Sequence, residues 1–265
     1  MTVSLSAALK GSADISLGNI VGSNIANILL IIGFSAFIMP IVFAKISAMR
    51  DALVMIGASL LMIAVMFWGQ FIWQSGIIMF ACLIGYIIYA YMQDRKNNAG
   101  SDDEDIDPEI AEAKIYSPMI ACGGCLVGFV GLIGGAHLLV EGAVSIARSF
   151  GISEAIIGLT LVAFGTSLPE LATAIMASIK KHGDVVIGNI IGSCIFNILA
   201  ILGITSMIVP INVVDQILNF DVWIMLASAL WLWIMLHLKL TAHRIWGGGL
   251  LALYVGYYIC LYYFF

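Results

Sequence analysis

The sequence predicts an all-α, polytopic membrane protein built as an inverted repeat, and three observations carry that reading. The chain is 62% hydrophobic and only 10% charged, with mean hydropathy +1.08, a balance that excludes an ordinary soluble domain. Apolar runs near the ~20 residues a helix needs to cross a bilayer recur along its length. Residues 2–41 and 172–211 are two copies of one segment, identical at 17 of 40 positions at a constant offset of 170. Lys10 pairs with Lys180, Asp14 with Asp184, Gly18-Asn19 with Gly188-Asn189, Gly22-Ser23 with Gly192-Ser193, Asn27 with Asn197, and Pro40 with Pro210. Hydrophobicity alone would not preserve those polar and glycine positions.

Taken in order, residues 1–10 read as the tail of a helix. Eight full spans follow, near 13–38, 47–69, 71–92, 117–145, 155–180, 184–208, 219–238 and 244–264. Strands are not expected, because the runs are continuous rather than alternating and lipid-exposed backbone must be satisfied within each helix. The spans group into a first repeat, 1–92, and a second, 117–265, joined by a linker at 93–116. That linker holds Asp102-Asp103-Glu104-Asp105-Ile106-Asp107-Pro108-Glu109. It lacks the glycine an EF-hand needs at its sixth position, so it reads as a solvated acidic segment. Cys122 and Cys125 have CxxC spacing but no partner pair, which leaves them as packing residues. Trp68, Trp73, Tyr89, Tyr91, Tyr257 and Tyr258 read as interfacial anchors. The N-terminus has no basic leader before an apolar core, so no cleavable signal peptide is expected.

Lys and Arg set the orientation. One side of the predicted topology holds Lys45, Arg50, Arg95, Lys96, Lys114, Lys180, Lys181, Lys239 and Arg244, and the other only Lys10 and Arg148. The first side is therefore cytoplasmic, with the central loop on it and both termini outside. Lys10 and Lys180 are repeat equivalents that fall on opposite faces, so the two copies are inverted. Inverted repeats place a substrate site at their interface near the bilayer midplane, which is the arrangement of secondary transporters.

The candidate site residues are those that should not face lipid. Gly165-Thr166-Ser167-Leu168-Pro169-Glu170 puts a carboxylate in mid-span, at a cost of at least ~2.5 kcal/mol on insertion scales. Pro169 lacks an N–H and disturbs the carbonyl four residues back, so the helix is expected to break there. The break exposes backbone carbonyls beside the Thr166 and Ser167 hydroxyls and the Glu170 carboxylate. These hard oxygen donors suit Ca2+ or Na+. Ser193 and Asn197 share one helical face, as do Ser23 and Asn27 in the first copy. Gly18, Gly22, Gly188 and Gly192 form ridges for close helix packing, and Asn19 and Asn189 read as structural.

Gly165-Thr-Ser-Leu-Pro-Glu170 followed by Gly188-Asn-Ile-Ile-Gly-Ser-Cys-Ile-Phe-Asn197 resembles the α-repeat of the calcium/cation antiporter superfamily. The likeness is to the bacterial sodium/calcium exchangers, with some similarity to the potassium-dependent group. Gly18-Asn-Ile-Val-Gly-Ser-Asn-Ile-Ala-Asn27 is similar to the second half of the other α-repeat. The resemblance implies ten helices in two inverted halves and exchange of Na+ for Ca2+ by alternating access in the plasma (inner) membrane. It implies ligands at Thr166, Ser167, Glu170, the Ala163 carbonyl, Ser193, Asn197, Ser23 and Asn27. The transported ions are then Ca2+ and Na+, with K+ coupling open. No permanently bound cofactor, nucleic acid or obligatory protein partner is expected beyond the lipid bilayer.

Two departures stand out. Position 197 is Asn where many exchangers of that family carry Asp. Met1 corresponds to Leu171, so the counterparts of Glu170, Ser167, Thr166 and Ala163 precede the chain, and the first repeat is expected to be truncated. One carboxylate facing Ca2+ leaves a net +1 at the midplane, costing on the order of several kcal/mol. These 265 residues alone are expected to bind Ca2+ weakly and not to exchange. The alternatives are a proton/calcium exchanger, separable by sodium dependence, and a non-transporting membrane subunit. A hydrolase with Ser167 or Ser193 as nucleophile lacks a nearby histidine base.

Overall fold

The computed structural model describes residues 2–9, 13–43, 46–98, 118–151 and 154–264. The acidic run of the linker lies outside the described residues, as do Lys10, Lys45, Lys114 and the side chains of Cys122 and Cys125. Every predicted span corresponds to helix. In chain order the helices are α1 (Thr2–Leu9), α2 (Ala13–Ile25), α3 (Gly33–Ile38), α4 (Ile46–Met66), α5 (Trp73–Asn98) and α6 (Pro118–Ser149). The second repeat continues with α7 (Glu154–Ile157), α8 (Ala163–Thr166), α9 (Leu168–Ile179), α10 (Gly183–Phe196), α11 (Gly203–Ile208), α12 (Val222–His237) and α13 (Arg244–Phe264).

Among the described residues six helices are long and apolar enough to cross a membrane. A broken pair, Gly158–Thr166 and Leu168–Ile179, bent by 50°, forms a seventh. Burial sorts them into layers. The span Asp14–Ile38 is 83% buried inside the protein and Gly183–Ile208 is 61% buried, whereas Trp73–Lys96 is only 17% buried. The two spans that carry the repeated Ser and Asn residues are therefore the inner ones, and α5 lies at the periphery.

Among the described residues four π-helical stretches interrupt the helices: Ala26–Ile32, Gly158–Val162, Asn197–Leu202 and Ile217–Asp221. The first and third are repeat equivalents, and each starts at or one residue before a candidate ligand, Asn27 or Asn197. The extra residue per turn displaces backbone groups from the regular ladder, which is why such turns gather at functional sites.

A two-fold relation of the halves is visible in the contacts between them. Pro40 and Pro210 stop their helices, and the preceding residues, Met39 and Val209, are extended as a following proline requires. Two short ladders follow, contrary to the expectation of no strands. Ile41–Val42 (β1) pairs antiparallel with Thr241–Ala242 (β4), and Gln70–Phe71 (β2) with Ile211–Asn212 (β3). Each ladder joins one half to the other, and the two interchange when the halves are exchanged. They satisfy backbone groups where the chain leaves its helices.

Helix crossings obey the same exchange. Gly76 of α5 packs on Gly203 of α11, and Gly247 of α13 packs on Gly33 of π-flanked α3. A Cβ at Gly76 would sit 2.5 Å from the Gly203 carbonyl oxygen, and one at Gly247 would sit 2.6 Å from the Gly33 carbonyl oxygen. Only glycine permits backbones this close. Of the predicted glycine ridges, Gly22 packs in this way, its hypothetical Cβ 2.4 Å from the Leu159 carbonyl oxygen. Gly188 and Gly192 do not: they are exposed, and a Cβ there meets no described atom within 4 Å.

The aromatic anchors divide. Trp68, Trp73, Tyr89 and Tyr91 are exposed, as interfacial rings should be. Tyr257 is not an anchor: it is buried and its hydroxyl donates to Asp221 Oδ1 at 2.8 Å. Its repeat counterpart Tyr86 bonds Asp51, the counterpart of Asp221. A buried carboxylate needs such a donor, and the tertiary fold supplies it.

Candidate cation site

Local sequence explains how each candidate side chain reaches the interior. In α2, Asn19 and Ser23 lie one turn apart, and Asn27 follows one turn later at the start of the π-helical stretch. All three are buried. In the second half the helix breaks at Ser167, whose φ of −91° and ψ of 0° depart from regular helix. Pro169 sits in the first turn of α9, where its missing N–H costs nothing. The Ser167 amide donates to the carbonyls of Ala163 and Phe164, both at 3.1 Å, closing the broken turn. Glu170 follows in the same first turn, where the positive end of the α9 dipole favours a carboxylate.

The two halves meet at these residues. Ser23 Oγ lies 3.1 Å from Thr166 Oγ1 and 3.4 Å from the Ala163 carbonyl oxygen that it donates to. Thr166 Oγ1 also reaches Asn19 Oδ1 at 2.8 Å and the Val162 carbonyl oxygen at 2.9 Å. A hydroxyl has one proton, so these donations are alternatives. On the other side, Ser193 stands beside the Glu170 carboxyl group. Asn197 Nδ2 donates to Asn24 Oδ1 at 2.9 Å, and Asn27 Nδ2 approaches Cys194 Sγ at 3.8 Å.

Among the described residues, two oxygens of this cluster have no hydrogen-bond partner although they are sealed from solvent: Asn27 Oδ1 and Glu170 Oε2. A buried polar atom left in that condition costs about 1–3 kcal/mol, more for a charged group. They come from opposite halves of the chain. None of the predicted positions is exposed. Ser23, Asn27, Ala163 and Ser167 are buried, and Thr166, Glu170, Ser193 and Asn197 are half-buried. Four hydroxyls, two amides, a carbonyl and one carboxylate make a hard, oxygen-only donor set, suited to Na+ or Ca2+ and not to soft metals. Among the described residues no group of three or more His, Cys, Asp or Glu side chains is gathered elsewhere.

Three residues of the cluster were not singled out as its members. Asn19 has the structural role expected, donating to Ser4 Oγ at 2.7 Å and accepting from Thr166. Asn24 and Cys194 were hidden because they are equivalent positions that differ between the copies, so identity between repeats could not flag them. Glu141, near the end of α6, is exposed.

Comparison with known proteins gives a consistent family. The sodium/calcium exchanger protein family matches residues 1–92 and 120–263. CaxA of Alkalimonas amylolytica is 35% identical over 265 residues, covering 98% of this chain and 82% of that protein. The sodium/calcium exchanger MaX1 of Methanosarcina acetivorans is 28% identical over 300 residues, covering 98% of this chain and 83% of its own length. A solved structure of the sodium-calcium exchanger NCX_Mj, soaked with Na+ and Sr2+, superposes with a TM-score of 0.74 at 31% identity. It covers 100% of this chain and 82% of that one.

Proposed function

The chain belongs to the sodium/calcium exchanger family, and from that premise we propose that it binds Na+ and Ca2+ at the oxygen cluster between its two halves and exchanges them by alternating access. It is an integral membrane transporter and not an enzyme. The observation that carries the site assignment is the pair of sealed, unpartnered oxygens, Asn27 Oδ1 and Glu170 Oε2, one from each half. A cation between them would satisfy both. Glu170 supplies the charge, Ser23, Thr166, Ser167 and Ser193 supply hydroxyl oxygens, and Asn27, Asn197 and the Ala163 carbonyl fill the shell toward the 6–8 oxygens that Ca2+ takes.

Competition follows from shared ligands. Na+ and Ca2+ draw on the same oxygens, so neither set of ions is fully bound while the other is. That mutual exclusion couples their movements when the site opens to one side at a time. Charge sets the strength. One carboxylate balances one Na+ but leaves a net +1 with Ca2+, at a cost of several kcal/mol in low dielectric. The excess of Lys and Arg on one side supports a plasma-membrane orientation with the central loop in the cytoplasm.

The test is 45Ca2+ bound to purified protein and displaced by Na+, followed by uptake into Na+-loaded vesicles. Displacement of Ca2+ by Na+, with both lost in Glu170→Gln, is the expected result. Uptake that follows a proton gradient and ignores Na+ would overturn the assignment of the counter-ion, and added K+ reads K+ coupling in the same vesicles.

A further inference from the structure

The amide contacts at the centre form a crossed pattern that ion ligation alone does not require. Asn24 and Cys194 are equivalent at the offset of 170, as are Asn27 and Asn197. Residue 24 of the first half holds the amide nitrogen of Asn197 in the second, Nδ2 to Oδ1 at 2.9 Å. Residue 194 of the second half faces the amide nitrogen of Asn27 in the first, Nδ2 to Sγ at 3.8 Å. The two holders also touch each other reciprocally. Asn24 Nδ2 donates to the Cys194 carbonyl oxygen at 3.4 Å, and Cys194 Sγ lies 4.0 Å from the Asn24 carbonyl oxygen. They face one another across the axis that relates the halves.

A primary amide has two chemically different ends, and only its oxygen can ligate a cation. A half-turn about its last bond would present NH2 to the ion instead. A neighbour that accepts from NH2 fixes the sense of that rotation. Asn24 Oδ1 is such an acceptor for Asn197, and Cys194 Sγ is a weaker one for Asn27. In keeping with this, the Asn27 atom left buried without a partner is its oxygen, not its nitrogen.

We propose that Asn24 and Cys194 are positioning residues that turn the carbonyl oxygens of Asn197 and Asn27 toward the transported cation by engaging their amide nitrogens. The proposal deepens the site described above and rests on Asn27 and Asn197 being ligands. The two holders are unequal. An N–H to amide oxygen contact at 2.9 Å is firmer than one to sulfur at 3.8 Å, so Asn197 is fixed and Asn27 retains freedom to follow ions of different size. The need for a holder is also specific to an amide. A carboxylate at 197 has two equivalent oxygens and requires no fixed sense.

These statements are read from 45Ca2+ half-saturation of purified full-length chain, in the Asn197 protein and in Asn197→Asp. Asn24→Leu, which keeps the volume and removes the acceptor, should raise half-saturation about five- to tenfold, the scale of one lost hydrogen bond. In the Asn197→Asp background the same change should cost less than about twofold. Asn24→Asp keeps an acceptor in place and should not weaken binding. Equal losses in both backgrounds, or a loss in Asn24→Asp matching that of Asn24→Leu, would mean that shape and not amide orientation matters, and would overturn the proposal while leaving the site intact. Should Asn24→Leu not accumulate as folded protein, Asn24→Ala takes its place: a loss in the Asn197 protein that falls below about twofold in Asn197→Asp supports the proposal, and equal losses in both overturn it. An unsubstituted protein whose Ca2+ binding ignores Na+ and Glu170→Gln would remove the site reading itself, and this inference with it.

Discussion

At the scale of single residues, charge and satisfaction of buried oxygens decide what the centre does. Among the described residues Glu170 is the one carboxylate of the centre, sealed at Oε2 and set in the first turn of α9. Glu170→Gln keeps the shape and removes the charge. Ca2+ binding should fall at least about tenfold, the loss of one charge-assisted contact, in an equilibrium 45Ca2+ assay. Asn197→Asp makes the reverse change. A second carboxylate neutralises the +1 left by Ca2+, so half-saturation should fall about tenfold or more, and an unchanged value would refute the charge argument. That these positions lie away from lipid was legible in the sequence, because Ser23, Asn27, Ser193 and Asn197 recur at matched positions where apolar character alone would not keep them. Asn24 and Cys194 were not legible, since they differ between copies and their function exists only once the two halves face each other.

At the scale of elements, breaks and close crossings position those residues. The proline-induced break was predictable from Gly165-Thr-Ser-Leu-Pro-Glu170, and the helix does bend by 50° there. Pro169→Ala restores the missing N–H and should straighten the helix. Binding is then expected to weaken several-fold while stability in detergent changes by no more than about 1 kcal/mol, which separates a geometric loss from unfolding. The π-helical stretches at Ala26–Ile32 and Asn197–Leu202 had no sequence signal, because the extra residue is accommodated by backbone register and neighbouring packing, not by residue type. The crossings make a sharper prediction. In Gly247→Ala the new methyl group meets the Gly33 carbonyl oxygen at 2.6 Å and the Phe37 nitrogen at 2.6 Å, both backbone atoms that cannot swing aside. A loss of about 1–3 kcal/mol is expected in thermal unfolding, matched by Gly76→Ala at the equivalent crossing.

At the scale of the whole molecule, the fold is two inverted halves that exchange partners. The short ladders, the glycine crossings and the carboxylate–tyrosine pairs Asp51–Tyr86 and Asp221–Tyr257 each occur once in either sense. Inversion was legible from the odd number of crossings between the copies. The interior place of Tyr257 was not, because a tyrosine near a helix end looks the same whether it anchors at lipid or satisfies a buried carboxylate. The orientation gives a topology prediction in a protein cleared of its own cysteines. Single cysteines at the exposed positions Lys181 and Lys239 should react with an impermeant maleimide only from the cytoplasm, and one at Ser149 only from outside. Labelling of all three from one face would contradict the inverted arrangement. The central claim is that oxygens from both halves converge on one hard cation, and anomalous diffraction from crystals soaked in Sr2+ measures that convergence directly. A strong Sr2+ peak is predicted within coordination distance of Glu170, Ser193, Ser23 and Asn27, whereas a Glu170 carboxylate turned to lipid, or a peak remote from the first half's Ser23 and Asn27, would contradict it.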